Sequence, residues 1–573
     1  MWTAVLGASA TCLSGCFDSP PQIISLTPSR GSIGVPADTP IAVQFDRPVV
    51  RSSVAGRFTV DPQIQRCDLA AAFTAAADAA CSIVWSGGDA QFTLVHPRAV
   101  LDPDTQYSFT LRGGFRDPTG AVNTVDHTWT LTTAGAPDVR ATTPSDGATG
   151  VPIDGPLTVD FNAGMDLAST RQAISLDPAV PGTQVVRNVK DKSRFMLVPG
   201  SLLQPHVTYR LSVARSATDL HGQRIRVPTT IAFTTASLSP GSHGVVLARQ
   251  PGDGPTQVLI TALEPVEDGM PVTAQAALTA PVCGQPAGCG DAAQGSPLYT
   301  YSAATMSSDN RWLAVEEQDR TRAGAPPALL VLDAASRAFR AALAAATMPS
   351  WSTDGSTLAY ASGSTVHLYH PATGRDSSLP PGDPLVAPPT WGPSGELLAL
   401  DEQAATGEHV VLADAVAGVR FPVPGVTGET TSPSLAPDGQ TLAIYRLGRS
   451  TAGAWVVGLG AGAPAPRQVG AGVIPVGFAD RVTLVVRSAP ASGPLALNRV
   501  SLTGGDSIGI PLAVGGVLPT TPIAIAPAGR QIAYLAAPDG ITNAYVVNAD
   551  GSGAEALTSY GPDSFEVAGI TLS

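Results

Sequence analysis

Positive charge is what this chain has least of. Its 573 residues carry 33 Lys and Arg against 46 Asp and Glu, a formal net charge of -13. Nucleic-acid binding rests on neutralising phosphates with Lys and Arg, so no nucleic-acid partner is expected. Direct docking on anionic lipid heads is disfavoured on the same ground. Long apolar runs are also lacking, and none reaches the ~20 residues a helix needs to cross a bilayer. Histidine is sparse: eight are scattered, and only His367 and His370 lie close. Three apart on a strand, their rings leave from opposite faces, so a shared metal is not expected. There is no α/β-hydrolase segment after the repeats. From sequence we therefore name no catalytic residue, no cofactor and no metal ligand.

What is abundant is turn chemistry: 59 Gly and 52 Pro in a chain that is 44% hydrophobic. The stretch Trp351 to Tyr360, WSTDGSTLAY, recurs through the C-terminal half. Related copies begin at Met306, Trp391, Leu435, Phe478 and Ile525. Their matching apolar positions, Leu313, Leu358, Leu398, Leu442, Leu484 and Ile532, lie 45, 40, 44, 42 and 48 residues apart. That period suits a four-stranded propeller blade. Gly in pairs such as Asp354-Gly355 and Asp438-Gly439 supplies the turn conformation a tight hairpin needs. The apolar runs that follow read as strands buried on both faces. Residues 244–250 and 256–265 look like two strands of a further blade, and SFEVAGITLS from Ser564 like one strand left over. The last strand is expected to complete the first blade and seal the ring. This gives seven blades, with six as the alternative because the Phe478 copy is worn.

The N-terminal half repeats once. Thr27-Pro28, Phe45 and Asp61-Pro62 recur at Thr143-Pro144, Phe161 and Asp177-Pro178, an offset of 116. Leu101, Tyr107, Asp117, Gly120 and Thr132-Thr133 recur at Leu203, Tyr209, Asp219, Gly222 and Thr234-Thr235, an offset of 102. The first copy thus carries 14 extra residues, where Cys67 and Cys81 sit. Period-two alternation in Ile41–Phe45 and Leu157–Phe161 marks strands with one face in a core. The paired pattern P..G..GVP.D.P..V.F, L.P.T.Y, D..G and a closing F/L-T-T resembles the bacterial Ig-like domain, over about residues 21–236. The blade motif, over about 243–573, resembles the TolB-like repeats, which also occur in the propeller of the prolyl oligopeptidase family. Only Asp438-Gly439 keeps the full Pro-Asp-Gly turn of those repeats. The expected fold is all-β: two tandem Ig-like β-sandwiches at 21–135 and 136–236, then a propeller at 243–573.

Residues 1–16 have the outline of an export signal, apolar and small before a polar, Pro-rich stretch. Leu13-Ser14-Gly15-Cys16 resembles the bacterial lipobox, which implies lipidation of Cys16; an ordinary signal peptide with an incidental Cys is the alternative. Of the remaining cysteines, Cys67 with Cys81 and Cys283 with Cys289 is the simplest of three connectivities, and an oxidising compartment would form both. The adjacent carboxylates Glu316-Glu317 and Asp401-Glu402 read as solvated loop charge, Asn548 to Gly553 as a blade turn rather than a calcium loop, and Trp351 and Trp391 as packing between blades. The expected protein is a non-catalytic, lipid-anchored envelope lipoprotein whose propeller binds an envelope protein or a glycan. A carbohydrate-active enzyme and a purely adhesive surface protein are the alternatives. Oligomeric state stays open.

Overall fold

The turns that punctuate the sequence cut it into short strands, and the computed structural model shows how they pair. It describes residues 19–573 apart from 77–78, 97–100, 201, 240–242, 251–255, 264–279, 283–298, 449–451, 489–494, 505–506, 514–522, 527–528 and 563. Cys16, Cys283 and Cys289 lie outside the described residues. The chain packs as two compact units, residues 1–141, 160–175 and 212–230 in one, and 142–159, 176–211 and 231–573 in the other.

The first sandwich has two four-stranded sheets. One runs in the order Ile23–Thr27, Ile41–Phe45, Gln91–Val95, Ser82–Ser86 and the other Ser32–Val35, His127–Thr133, Gln106–Leu111, Phe58–Asp61. Alternation does what the pattern predicts: Ile41, Val43 and Phe45 are buried while Gln44 is exposed. Phe45, Phe58, Phe92, Phe109, Phe115 and Trp129 fill the space between the sheets, each contributing roughly 1.5–3 kcal/mol through burial. The second copy repeats both sheet orders.

The conserved-looking letters of the repeat have local jobs. The Tyr107 hydroxyl accepts the Asp102 N–H at 2.9 Å, and Tyr209 accepts the Gln204 N–H at 3.0 Å, the tyrosine corner of such sandwiches. Thr133 and Thr235 fasten the same corners by donating to the Asp102 and Gln204 carbonyls. The inserted loop of the first copy is closed by a Cys67–Cys81 disulfide. Just inside it, Asp68 caps the short helix Leu69–Ala72.

Among the described residues the propeller has seven four-stranded sheets. Six follow the chain directly. The remaining one is ordered Ala280–Val282, Thr256–Ala262, His243–Arg249, Glu566–Leu572, with Val246 opposite Ile570 and Gly244 opposite Leu572. The C-terminal strand therefore takes the first-strand position of the blade that the segment from His243 begins. Each blade's first strand touches the next one around a closed circle of seven. The worn copy is a full blade: Val473–Asp480, Thr483–Ser488, Leu497–Ser501, Ile508–Gly509. Its first hairpin carries Arg481 and Val482 between Asp480 and Thr483, and since neither holds a positive φ the turn needs no Gly. Elsewhere the turn needs a left-handed residue, supplied by Gly355 (φ 72°) or by Asn310 (φ 58°).

Candidate functional site on blade four

Counting from the blade that begins at His243, blade four consists of Thr390–Trp391, Leu397–Ala404, Gly407–Asp414 and Val419–Pro422. Strands run alternately up and down, so the Leu397–Ala404/Gly407–Asp414 hairpin tip and the linker entering the blade share one face of the ring. There the linker follows the strand, with the Val386 N–H donating to Asp401 O and the Gln403 N–H to Pro384 O. This covers Asp401 and Glu402, each 2% exposed. The expectation of solvated charge fails here, where the linker covers both carboxylates, and also for the buried Glu317.

Adjacent strand residues point apart, and the two carboxylates do different things. Asp401 reaches blade five, where its Oδ2 accepts the Thr431 hydroxyl at 2.5 Å and the Ser432 N–H at 2.9 Å. Glu316, three residues past Leu313 as Asp401 is past Leu398, accepts the Met348 N–H at 3.2 Å. Met348 and Ser432 both hold left-handed φ, 57° and 54°. These carboxylates latch one blade to the next. At the matching places of blades three and five the acceptor is replaced by Ala361 and Tyr445, and the donor by Pro388 and Pro475, which have no N–H.

Glu402 turns to the other side. Its Oε1 pairs with the Arg420 guanidinium, and its Oε2 lies 3.8 Å from His409 Nε2, itself 3.8 Å from Asp383 Oδ2. His409 faces Glu402 across the hairpin. Burial pushes the Glu402 carboxyl above its usual range despite the opposing pull of Arg420 and His409. Burial likewise raises Asp401 against the hydrogen bonds from Thr431 and Ser432. Gly382 makes room for the guanidinium, since a Cβ there would fall on it.

Among the described residues, Asp383, Glu402 and His409 are the one trio whose ligand atoms come within 4.8 Å of each other. Arg420 weighs against a cation there, since it places a fixed positive charge on Glu402. The arrangement is a chain of alternating charge, Asp383, His409, Glu402, Arg420. Of these residues, the sequence pointed only to Glu402. Asp383 and Arg420 come from a linker and an outer strand, and only His409, equidistant with Glu402 from the hairpin tip, carried a local signal.

The remaining candidates are accounted for separately. His367 stacks on Tyr360 while Tyr360 donates to Asp376 at 2.8 Å, whereas His370 meets Thr357. Trp351 and Trp391 are largely buried and donate to Thr305 O and Ser350 O of the preceding blades. They also border a cleft of about 450 Å³ at the opposite face, with Leu435 and Phe478. In the turn from Asn548, Asp550 accepts the Ser552 N–H and hydroxyl.

The fold defines a class: a pair of Ig-like sandwiches followed by a closed seven-bladed propeller. Residues 18–133 and 134–235 match the bacterial Ig-like domain family. No curated protein matches the chain. Among solved structures, TolB from Acinetobacter baumannii is 12% identical, with 65% of this chain and 80% of that chain covered and a TM-score of 0.37. An oligogalacturonate lyase from Vibrio parahaemolyticus is 11% identical, with 45% and 77% covered and a TM-score of 0.36. The propeller domain of the Trilobed protease from Pyrococcus furiosus is 12% identical, with 46% and 86% covered and a TM-score of 0.34. Likenesses this distant carry no functional inference, and the propeller assignment rests on the chain's own sheets. Among the described residues no helix is long and apolar enough to cross a membrane.

Proposed function

We propose that the protein is a non-catalytic bacterial envelope lipoprotein, anchored through lipidated Cys16. Its propeller serves as a binding platform for an envelope protein or glycan, and its Ig-like pair acts as a spacer. The observation that carries this reading is the fate of the carboxylates. Glycan hydrolysis uses a pair of them, one poised as acid and one as base or nucleophile. Here Glu316 and Asp401 are spent on latches between blades, and Glu402 is held by Arg420. A rigid ring carrying variable loops suits recognition without turnover. The test uses the full chain expressed in a bacterium and labelled with radioactive palmitate. Label in the membrane fraction that is lost in Cys16→Ala supports the anchor, and an unlabelled wild-type chain refutes it. Saturable co-sedimentation of the full chain with isolated envelope fractions supports the platform, and its absence from every fraction counts against it.

The alternative is a carbohydrate-active lyase or hydrolase, favoured by the proximity of Asp383, His409 and Glu402 on a loop-bearing face. It requires turnover that disappears in Glu402→Gln and His409→Ala.

A further inference from the structure

Within the compact unit that holds the first sandwich, a cleft of about 680 Å³ is lined by Arg66, Arg215, Arg224 and Arg226 against a single carboxylate, Asp102. On a chain with a net charge of -13, this is a local reversal of sign. Arg226 is committed to Asp104 at 2.9 Å and Asp138 at 3.6 Å. The guanidinium groups of Arg66, Arg215 and Arg224 are exposed and have no hydrogen-bond or ion-pair partner among the described residues. Asp102 is engaged by the Gln65 amide at 3.2 Å.

The loops that carry these groups are held in place. Arg66 sits at φ 63°, next to disulfide-bonded Cys67, whose N–H closes a turn on Ile64 O. An Arg in left-handed backbone is uncommon. Asp219 accepts the N–H groups of His221 and Gln223 and so fixes the loop before Arg224. Gln223 is 5% exposed and lines the cleft, and its Oε1 has no partner among the described residues. A buried acceptor without a donor is costly.

We infer that this cleft binds a short anionic saccharide. The free guanidinium groups take a carboxylate or phosphate, and the exposed Gln65 amide takes a ring hydroxyl. Planar guanidinium forks match both oxyanions. The lining has no aromatic ring on which a nucleobase could stack. The acidic remainder of the chain repels a long polyanion, which limits the ligand to a few sugars. This site stands independently of the propeller reading.

Calorimetric titration of the full chain tests it, using a uronic-acid trisaccharide, a glycosyl phosphate, a neutral trisaccharide and inorganic phosphate. Saturable binding of the uronic-acid or the phosphorylated sugar is expected, the responding arm identifying the anion, with no binding of the neutral sugar. Affinity should fall as salt rises from about 20 to 500 mM. Arg215→Gln with Arg224→Gln should weaken binding roughly tenfold per guanidinium lost. Arg→Lys at both positions should recover part of it. Failure of both anionic sugars to bind, equal affinity in the double Gln variant, or phosphate binding as tightly as the sugars would overturn the inference.

Discussion

Replacing Arg420 by Met leaves Glu402 buried, its side chain 3% exposed, with His409 at 3.8 Å as the nearest group able to carry positive charge. Removing one partner of a buried ion pair typically costs about 3–5 kcal/mol. The carboxyl has an escape, however, because it can take up a proton. That sets a ceiling. Protonating a group with an ordinary pKa of about 4.3 costs about 1.36 kcal/mol per pH unit, hence about 3.7 kcal/mol at pH 7 and about 1 kcal/mol at pH 5. Arg420→Met should therefore destabilise blade four strongly at pH 7 and only slightly at pH 5. The double variant Glu402→Gln/Arg420→Met should recover most of the loss at pH 7. Hydrogen exchange of the backbone amides in Leu397–Asp414, read by mass spectrometry on the intact chain, reports the local opening energy. Equal losses at the two pH values, or a double variant as weak as Arg420→Met alone, would refute the buried-pair account.

Other consequences are open to simpler assays. Gly382→Ala should displace the guanidinium and reproduce the Arg420→Met exchange pattern, whereas an unchanged pattern would show that Arg420 has room elsewhere. Asp401 has a raised folded-state pKa, so its unfavourable contribution is absent below the ordinary carboxylate range, grows as pH climbs to the raised value and is full above it. Asp401→Asn should thus gain stability over wild type at pH 8 and lose that advantage towards pH 4 in thermal unfolding. An advantage independent of pH contradicts this. Mutating both Cys67 and Cys81 to Ser should cost the first sandwich about 3 kcal/mol, as for a loop of ~15 residues, seen as an earlier calorimetric transition. Tyr209→Phe should cost about 1 kcal/mol by leaving the Gln204 N–H unpaired, and an unchanged unfolding midpoint would remove the corner's role.

The architecture was legible because its signals are local and repeated. The Asp-Gly turns and the apolar runs from Leu313 to Ile532 gave the blades. The stray strand from Ser564 had an obvious vacancy beside His243–Arg249. The L.P.T.Y spacing brought Tyr107 and Tyr209 to their corners. What stayed hidden depends on distant residues. Asp401 and Glu402 looked like loop charge because nothing nearby shows that the Pro384–Val386 linker runs over them. Arg420 lies two strands away from Glu402 and Asp383 in a preceding linker, so no local pattern signals their meeting. The latch role of Glu316 and Asp401 required the next blade. The cationic cleft was masked by composition, since a net charge says nothing of where four arginines gather.

The central claim is recognition without turnover, and product analysis tests it most directly. The full chain and its Glu402→Gln variant would be incubated with isolated envelope glycans and a panel of acidic oligosaccharides, and every ligand then weighed by mass spectrometry. The account predicts bound ligands of unchanged mass with both proteins. A cleaved or unsaturated product that forms with the wild-type chain and disappears with Glu402→Gln would contradict it and make blade four an active site.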